Sequence, residues 1–117
     1  MNDEMKSISK ELIGASAAPI ILSVLKTGDN YGYEIVMKVK ELTNDEIKWK
    51  EASIYPVLKK LESKGLIKSY WKVQENERPR KYYTILDEGK KQYELNIHEW
   101  ELVYSLFGKL WDLSTLK

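Results

Sequence analysis

The 117-residue chain contains no cysteine, one histidine, one phenylalanine and three prolines. Without cysteine it forms neither a disulfide nor a thiolate-held metal centre, which suits a reducing compartment. The single histidine, His98, stands among Glu94, Glu99 and Glu101; a lone imidazole in an acidic stretch reads as a solvated residue rather than a ligand or base. There is no glycine-rich phosphate loop and no serine with a plausible base, so neither enzymatic activity nor a cofactor or metal is expected. A long apolar run is also missing. The most apolar stretch, Ala15 to Leu25, is interrupted by Ser16, Pro19 and Ser23 and falls short of the roughly 20 residues a membrane span needs. The opening MNDEMKSISK carries acids where a secretory signal needs a basic flank and an apolar segment. A cytoplasmic protein with no membrane partner is the expectation.

What is present is a 43% hydrophobic chain of net charge +1, enough for a modest core. The near-neutral total hides an asymmetry. Lys48 to Lys81 holds ten Lys or Arg against four Glu, whereas the rest holds nine against fourteen acids. Clustered cations attract a phosphate backbone by counterion release whatever its sequence, so this segment carries a nucleic-acid footprint.

At the centre of that footprint lies KEASIYPVLKKLESKG, Lys50 to Gly65. Ile54, Val57, Leu58 and Leu61 recur at the spacing of one helical face and are expected to be buried. Ser53, Tyr55, Lys59, Lys60 and Ser63 are left facing outward. Ser53 is placed as the N-cap, which puts Pro56 in the first turn, and Gly65 ends the helix. Such a helix fits a DNA major groove. A solvated surface helix would also carry lysines, so the helix alone does not decide.

Upstream, Ser7 or Ser9 can cap a helix running toward Lys26, with a kink at Pro19 or a restart capped by Ser16. Asn30 or Tyr31 caps a second helix ending near Thr43, in which Ile35, Val36, Val39 and Leu42 recur at helical spacing. In YGYEI the glycine between two tyrosines would let neighbouring backbone come close. Ile47 and Trp49 alternate in the following connector and are read as one very short strand. After Gly65 the period becomes two: Ile67, Ser69, Trp71 and Val73 share a side, and KYYTIL alternates again. Between these strands lies QENERPR. Helix, turn, helix and a hairpin with an arginine-bearing tip is the order of a winged helix-turn-helix.

From Asp87 onward the sequence reads as one long helix, capped by Asp87. Tyr93, Ile97, Trp100, Tyr104, Phe107 and Trp111 are spaced 4, 3, 4, 3, 4, an unbroken heptad seam widened by Val103, Leu106 and Leu110. So wide an apolar arc cannot be covered by a domain this small, and the partner it implies is a second copy of the chain. Ile97, Trp100, Tyr104, Phe107 and Trp111 are the expected dimer contacts. The fold class expected is mainly α with a small β-hairpin: a winged helix-turn-helix over 1–86 and a dimerisation helix over 87–117.

YGYEI at Tyr31 to Ile35, SIYPVLKKLESKGLI at Ser53 to Ile67 and RPRKYYTI at Arg78 to Ile85 together resemble the PadR family of bacterial transcriptional regulators. The single C-terminal helix resembles its small LmrR-like branch. The resemblance implies a homodimeric repressor of a transporter or detoxification gene, released by drug-like or phenolic ligands. It also places Trp100 opposite its symmetry mate at the dimer centre, with Ala15 and Pro19 of the first helix at the sides and Ile97 and Tyr104 above and below. A small planar aromatic or phenolic effector fits between two indoles; alternatively the indoles close on each other as dimer core. Three positions depart from the family pattern: Glu77 replaces the usual wing glycine, Leu86 the usual capping threonine, and Tyr104 an acid after the tryptophan. On double-stranded DNA, Ser53 and Tyr55 are expected nearest the bases, with Lys50, Lys59, Arg78, Arg80 and Lys81 on phosphates. Two other functions stay open: a winged helix used for protein docking, and a small-molecule sensor with weak DNA contact.

Overall fold

A computed structural model describes residues 8–111, so Ser7 and the end of the 87–117 segment lie outside it. Seven elements follow one another: α1 (Lys10–Lys26), β1 (Asn30–Tyr31), α2 (Gly32–Leu42), α3 (Glu51–Ser63), β2 (Ile67–Lys72), β3 (Arg80–Ile85) and α4 (Asp87–Trp111). The strands form one antiparallel sheet in the order β1-β3-β2. In the hairpin Ile67 pairs with Ile85 and Lys72 with Arg80.

Ser9 caps α1 by accepting from the Leu12 N–H at 3.1 Å. The helix then passes Pro19 without a restart. Ser16 does not cap; its hydroxyl donates back to the Leu12 carbonyl at 2.7 Å. The carbonyl that Pro19 deprives of a helical donor is that of Ala15, an exposed residue where water can substitute. Ile21, Leu22 and Leu25 carry α1 into the core, where they meet Ile35 of α2, Leu58 of α3 and Ile67 of β2, all nearly inaccessible. Each such side chain contributes about 1.5–3 kcal/mol of burial, and this cluster fixes the placement of α3.

Tyr31 is the N-cap of α2, in extended backbone and without a side-chain bond. With Asn30 it also forms a strand, pairing with Tyr82 while Asn30 pairs with Tyr83, which two residues are too few to announce as an alternating pattern. Two local expectations are corrected. Ile47 and Trp49 form no strand. Left-handed turns at Asn44 and Asp45 lead into an extended connector, and the alternation reflects two half-buried side chains with no ladder partner. At α3 the cap is Lys50, without a side-chain bond. Ser53 is the third helical residue, donating its N–H to the Lys50 carbonyl at 2.9 Å, and Pro56 sits one turn deeper on an exposed face. Glu51 in the first turn favours this earlier start through the helix dipole.

Gly65 ends α3 as expected, at φ 75°. The Leu66 N–H reaches the Leu61 carbonyl at 3.1 Å and the Gly65 N–H reaches Glu62 at 3.0 Å, the paired bonds of a Schellman stop. Asp87 lies within α4 rather than capping it; Leu86 precedes the helix and is tied by its N–H to the Leu66 carbonyl at 2.9 Å. Gly89 makes this junction possible. A Cβ there would collide with the Leu66 carbonyl oxygen, so any side chain would push α4 off the hairpin base.

Candidate nucleic-acid interface

The core face of α3 buries Ile54, Leu58 and Leu61, with Val57 half-buried at its margin. The opposite face presents Ser53, Lys59, Lys60 and Ser63 to solvent, with Lys50 exposed ahead of the first turn. Tyr55 is less free than its position suggests. Its ring lies over Gly32, where an added Cβ would meet ring and hydroxyl at 2.9 Å, and its hydroxyl donates to Glu51 Oε2 at 2.6 Å. Burial, and then the Glu51 bond, push the phenol up to about 12, so it remains a protonated donor. The glycine of YGYEI thus admits a side chain from α3, where a close backbone had been expected; the residue type gave the signal and the partner was hidden.

A second contact ties α3 to the hairpin. Glu62 Oε2 accepts from the Ser69 hydroxyl at 2.7 Å and from the Ser69 N–H at 3.1 Å. The Ser69 hydroxyl, aided by its N–H and by nearby Lys81, holds the Glu62 carboxyl below the usual carboxylate range against the opposing effect of burial. The wing is thereby clamped to the helix it flanks. Nothing in the linear pattern marks Glu62 for this role, because the pair meets only after the chain has reversed at Gly65.

The strand register separates cations that neighbour one another in sequence. Lys81 pairs with Trp71, on the side of β3 that also carries buried Tyr83. Arg80 pairs with Lys72 on the outer side, where its guanidinium carbon lies 4.5 Å from the centre of the Tyr31 ring. Arg78 stands exposed in the tip. There the chain turns with a left-handed Asn76 at φ 66° and a Glu77 N–H bond to the Gln74 carbonyl at 3.2 Å. Positive φ therefore falls on Asn76, and Glu77 in place of the usual glycine carries no such strain. Trp71 and Val73 are exposed, at 64% and 72%, beyond the reach of the core.

A three-helix body with a sheet-borne wing is a shape shared by many proteins, and the comparisons with known sequences and structures narrow it. Residues 21–95 match the model of the transcriptional regulator PadR-like family. The chain belongs to that family. The negative transcriptional regulator PadR of Bacillus subtilis is 35% identical over 80 residues, covering 68% of this chain and 42% of its own length. The chain thus spans less than half of that relative. A transcriptional regulator from Clostridium thermocellum matches at 39% identity and a TM-score of 0.78, over 87% of this chain and 96% of the other. The B. subtilis PadR structure in complex with operator DNA matches at 34% identity and a TM-score of 0.60, over 71% of this chain and 45% of that one. The PadR-like chain is a member of a family of regulators, not of enzymes.

The PadR-like chain also carries a large apolar surface away from the wing. Tyr93, at the head of the heptad seam, packs against its own core with Lys26 Nζ 5.5 Å from its ring centre. Farther along α4 the seam is uncovered: Trp100 is 39% exposed, Tyr104 66% and Trp111 62%. Phe107 and Trp111 stack on each other at 4.1 Å and nearly parallel. Between α1, α2 and α4 an apolar groove of about 710 Å³ opens, lined by Pro19, Ile20, Val39, Leu42, Ile97 and Trp100. Of the expected ligand residues, Pro19, Ile97 and Trp100 line this groove, whereas Ala15 and Tyr104 do not. Among the described residues, no helix is long and apolar enough to cross a membrane.

Proposed function

We propose that the PadR-like chain is a homodimeric DNA-binding repressor whose hold on its operator responds to a planar aromatic ligand. The observation that carries the DNA reading is the clamp between Glu62 and Ser69, which holds the exposed face of α3 and the cationic wing as one unit. In this reading Ser53 and Tyr55 lie nearest the bases. Lys50, Lys59, Arg78, Arg80 and Lys81 neutralise phosphates, and Tyr55, held by Glu51 and Gly32, offers its ring edge more readily than its hydroxyl. The operator-bound B. subtilis relative favours the same use of this shape.

Dimerisation follows from the uncovered α4 seam, with Ile97, Trp100, Tyr104, Phe107 and Trp111 as contacts. Two bodies joined there address two half-sites about 34 Å apart or a multiple of it. The effector enters against Trp100, where stacking on an indole adds about 0.5–1.5 kcal/mol beyond burial, and neutral or phenolic rings are preferred because Tyr104 stands in place of an acid. Sequencing the genomic fragments retained by the purified protein tests the reading. A recurrent inverted repeat with that spacing supports it, and unselected or absent DNA refutes it. Titration with planar dyes tests the effector arm: tryptophan emission is quenched in the parent and not in Trp100→Ala.

A further inference from the structure

The outer face of the sheet carries residues that the reading above leaves unused. Tyr31, Tyr82 and Tyr70 lie side by side across the three strands, with Tyr31 and Tyr82 ring centres 5.1 Å apart and Tyr82 and Tyr70 5.8 Å apart. The row is anchored at one end by the Tyr70 hydroxyl, which donates to Asp29 Oδ2 at 2.7 Å. The next position outward is the directly opposed pair Lys72 and Arg80. Like charges facing each other across strands repel and weaken a hairpin. Here each cation has its own ring: Lys72 Nζ lies 4.9 Å from the centre of Tyr82, and the Arg80 guanidinium carbon 4.5 Å from that of Tyr31. The negative face of a ring attracts a cation without neutralising it. A carboxylate would both hold and cancel the charge, and among the described residues the sole ion pair is Lys91 with Glu88.

We propose that Lys72 and Arg80 form a two-cation clamp for one phosphodiester of the DNA backbone, and that Tyr31 and Tyr82 are the positioning residues that hold it open. The proposal rests on the DNA-binding reading and adds to it a binding residue, Lys72, and a role for the aromatic row. Tyr31 belongs at once to β1, to the YGYEI motif and to the entry of α2. The ring that orients Arg80 is therefore fixed by the same segment that receives Tyr55 of α3 at Gly32, which sets the clamp relative to the recognition helix.

The test is anisotropy of a labelled random-sequence duplex with the full chain, repeated over a range of salt. Lys72→Ala and Arg80→Ala are each expected to weaken binding about tenfold and to flatten the slope of log affinity against log salt by about one unit. Tyr31→Leu is expected to match Arg80→Ala, Tyr31→Phe to behave as the parent, and Tyr31→Leu to add nothing once Arg80 is alanine. Independent, additive losses would make Tyr31 a merely structural residue and overturn the positioning role. Should Tyr31→Leu fail to fold, the parent still decides: the Arg80 Nε–H resonance is expected to be shifted upfield by the Tyr31 ring, and an unshifted signal refutes the arrangement. A parent that binds with a steep salt slope yet is indifferent to both alanine variants removes the clamp and leaves the DNA reading standing. A parent that binds no duplex removes both.

Discussion

The body formed by α1, α2, α3 and the sheet and the long helix α4 draw on similar apolar residues and end in opposite states. In the body the periodic residues find one another: Ile21, Leu22, Ile35, Leu58 and Ile67 are all closed off from water. In α4 the one buried residue described is Gly89, at the joint with the hairpin, while Tyr104, Leu110 and Trp111 stand more than half exposed. Hydrophobic periodicity shows that a face must be covered without showing by what. The body covers its own faces, and α4 is a rod whose first turns pack on the body and whose remainder is left uncovered.

The strongest way to break this contrast is to charge the uncovered face. The double variant Phe107→Asp, Trp111→Asp is expected to raise the dimer dissociation constant by about a thousandfold or more, because unpaired carboxylates in an apolar seam are severely penalised. Sedimentation should show a folded monomer, and a persistent dimer would mean that the seam is not the interface. Inside the body the corresponding blow is Leu58→Ala, which should cost about 2–5 kcal/mol in denaturant unfolding. Leu102, on α4 but off the seam, gives the control: Leu102→Ala should change stability by no more than about 0.5 kcal/mol.

The joint between the two regions has its own test. Gly89→Ala places a methyl against the Leu66 carbonyl and should lower stability by about 2–3 kcal/mol, with an altered angle between body and α4 visible in scattering. A smaller effect is expected from Glu62→Gln, which weakens the helix-to-wing clamp by about 1 kcal/mol. Because the Glu62 carboxyl is held below its ordinary value, its stabilising contribution is full above the ordinary carboxylate range. It is lost as the pH falls through the depressed folded value. The parent should therefore lose in acid an increment of stability that Glu62→Gln lacks at every pH, and parallel pH profiles would assign the clamp no role.

Much of the body was legible from periodicity. The core face of α3, the stop at Gly65, the two strands of the hairpin and the helix from Asp87 as far as Trp111 are all dictated by local patterns of apolar residues and turn formers. What escaped has a common physical character. Asn30 and Tyr31 become a strand only because β3 arrives beside them, and Ser53 yields the cap to Lys50 because Glu51 also suits a first turn. The clamp of Glu62 on Ser69, the seat of Tyr55 on Gly32 and the separation of Arg80 from Lys81 are likewise products of tertiary register. Tyr93 was part of a regular seam in sequence and joins its own core in the fold, since periodicity does not say where the body ends.

The division of labour between the two regions can be read from one quantity, the slope of log affinity for random duplex against log salt, compared between the parent and the monomeric Phe107→Asp, Trp111→Asp variant. In the proposed function each body contributes its own set of neutralised phosphates, so the parent should show a steep linear decline and the monomer about half that slope. Equal slopes would mean that α4 does not bring two bodies to the DNA, and a flat line for both would contradict the wing and α3 as a DNA-binding unit.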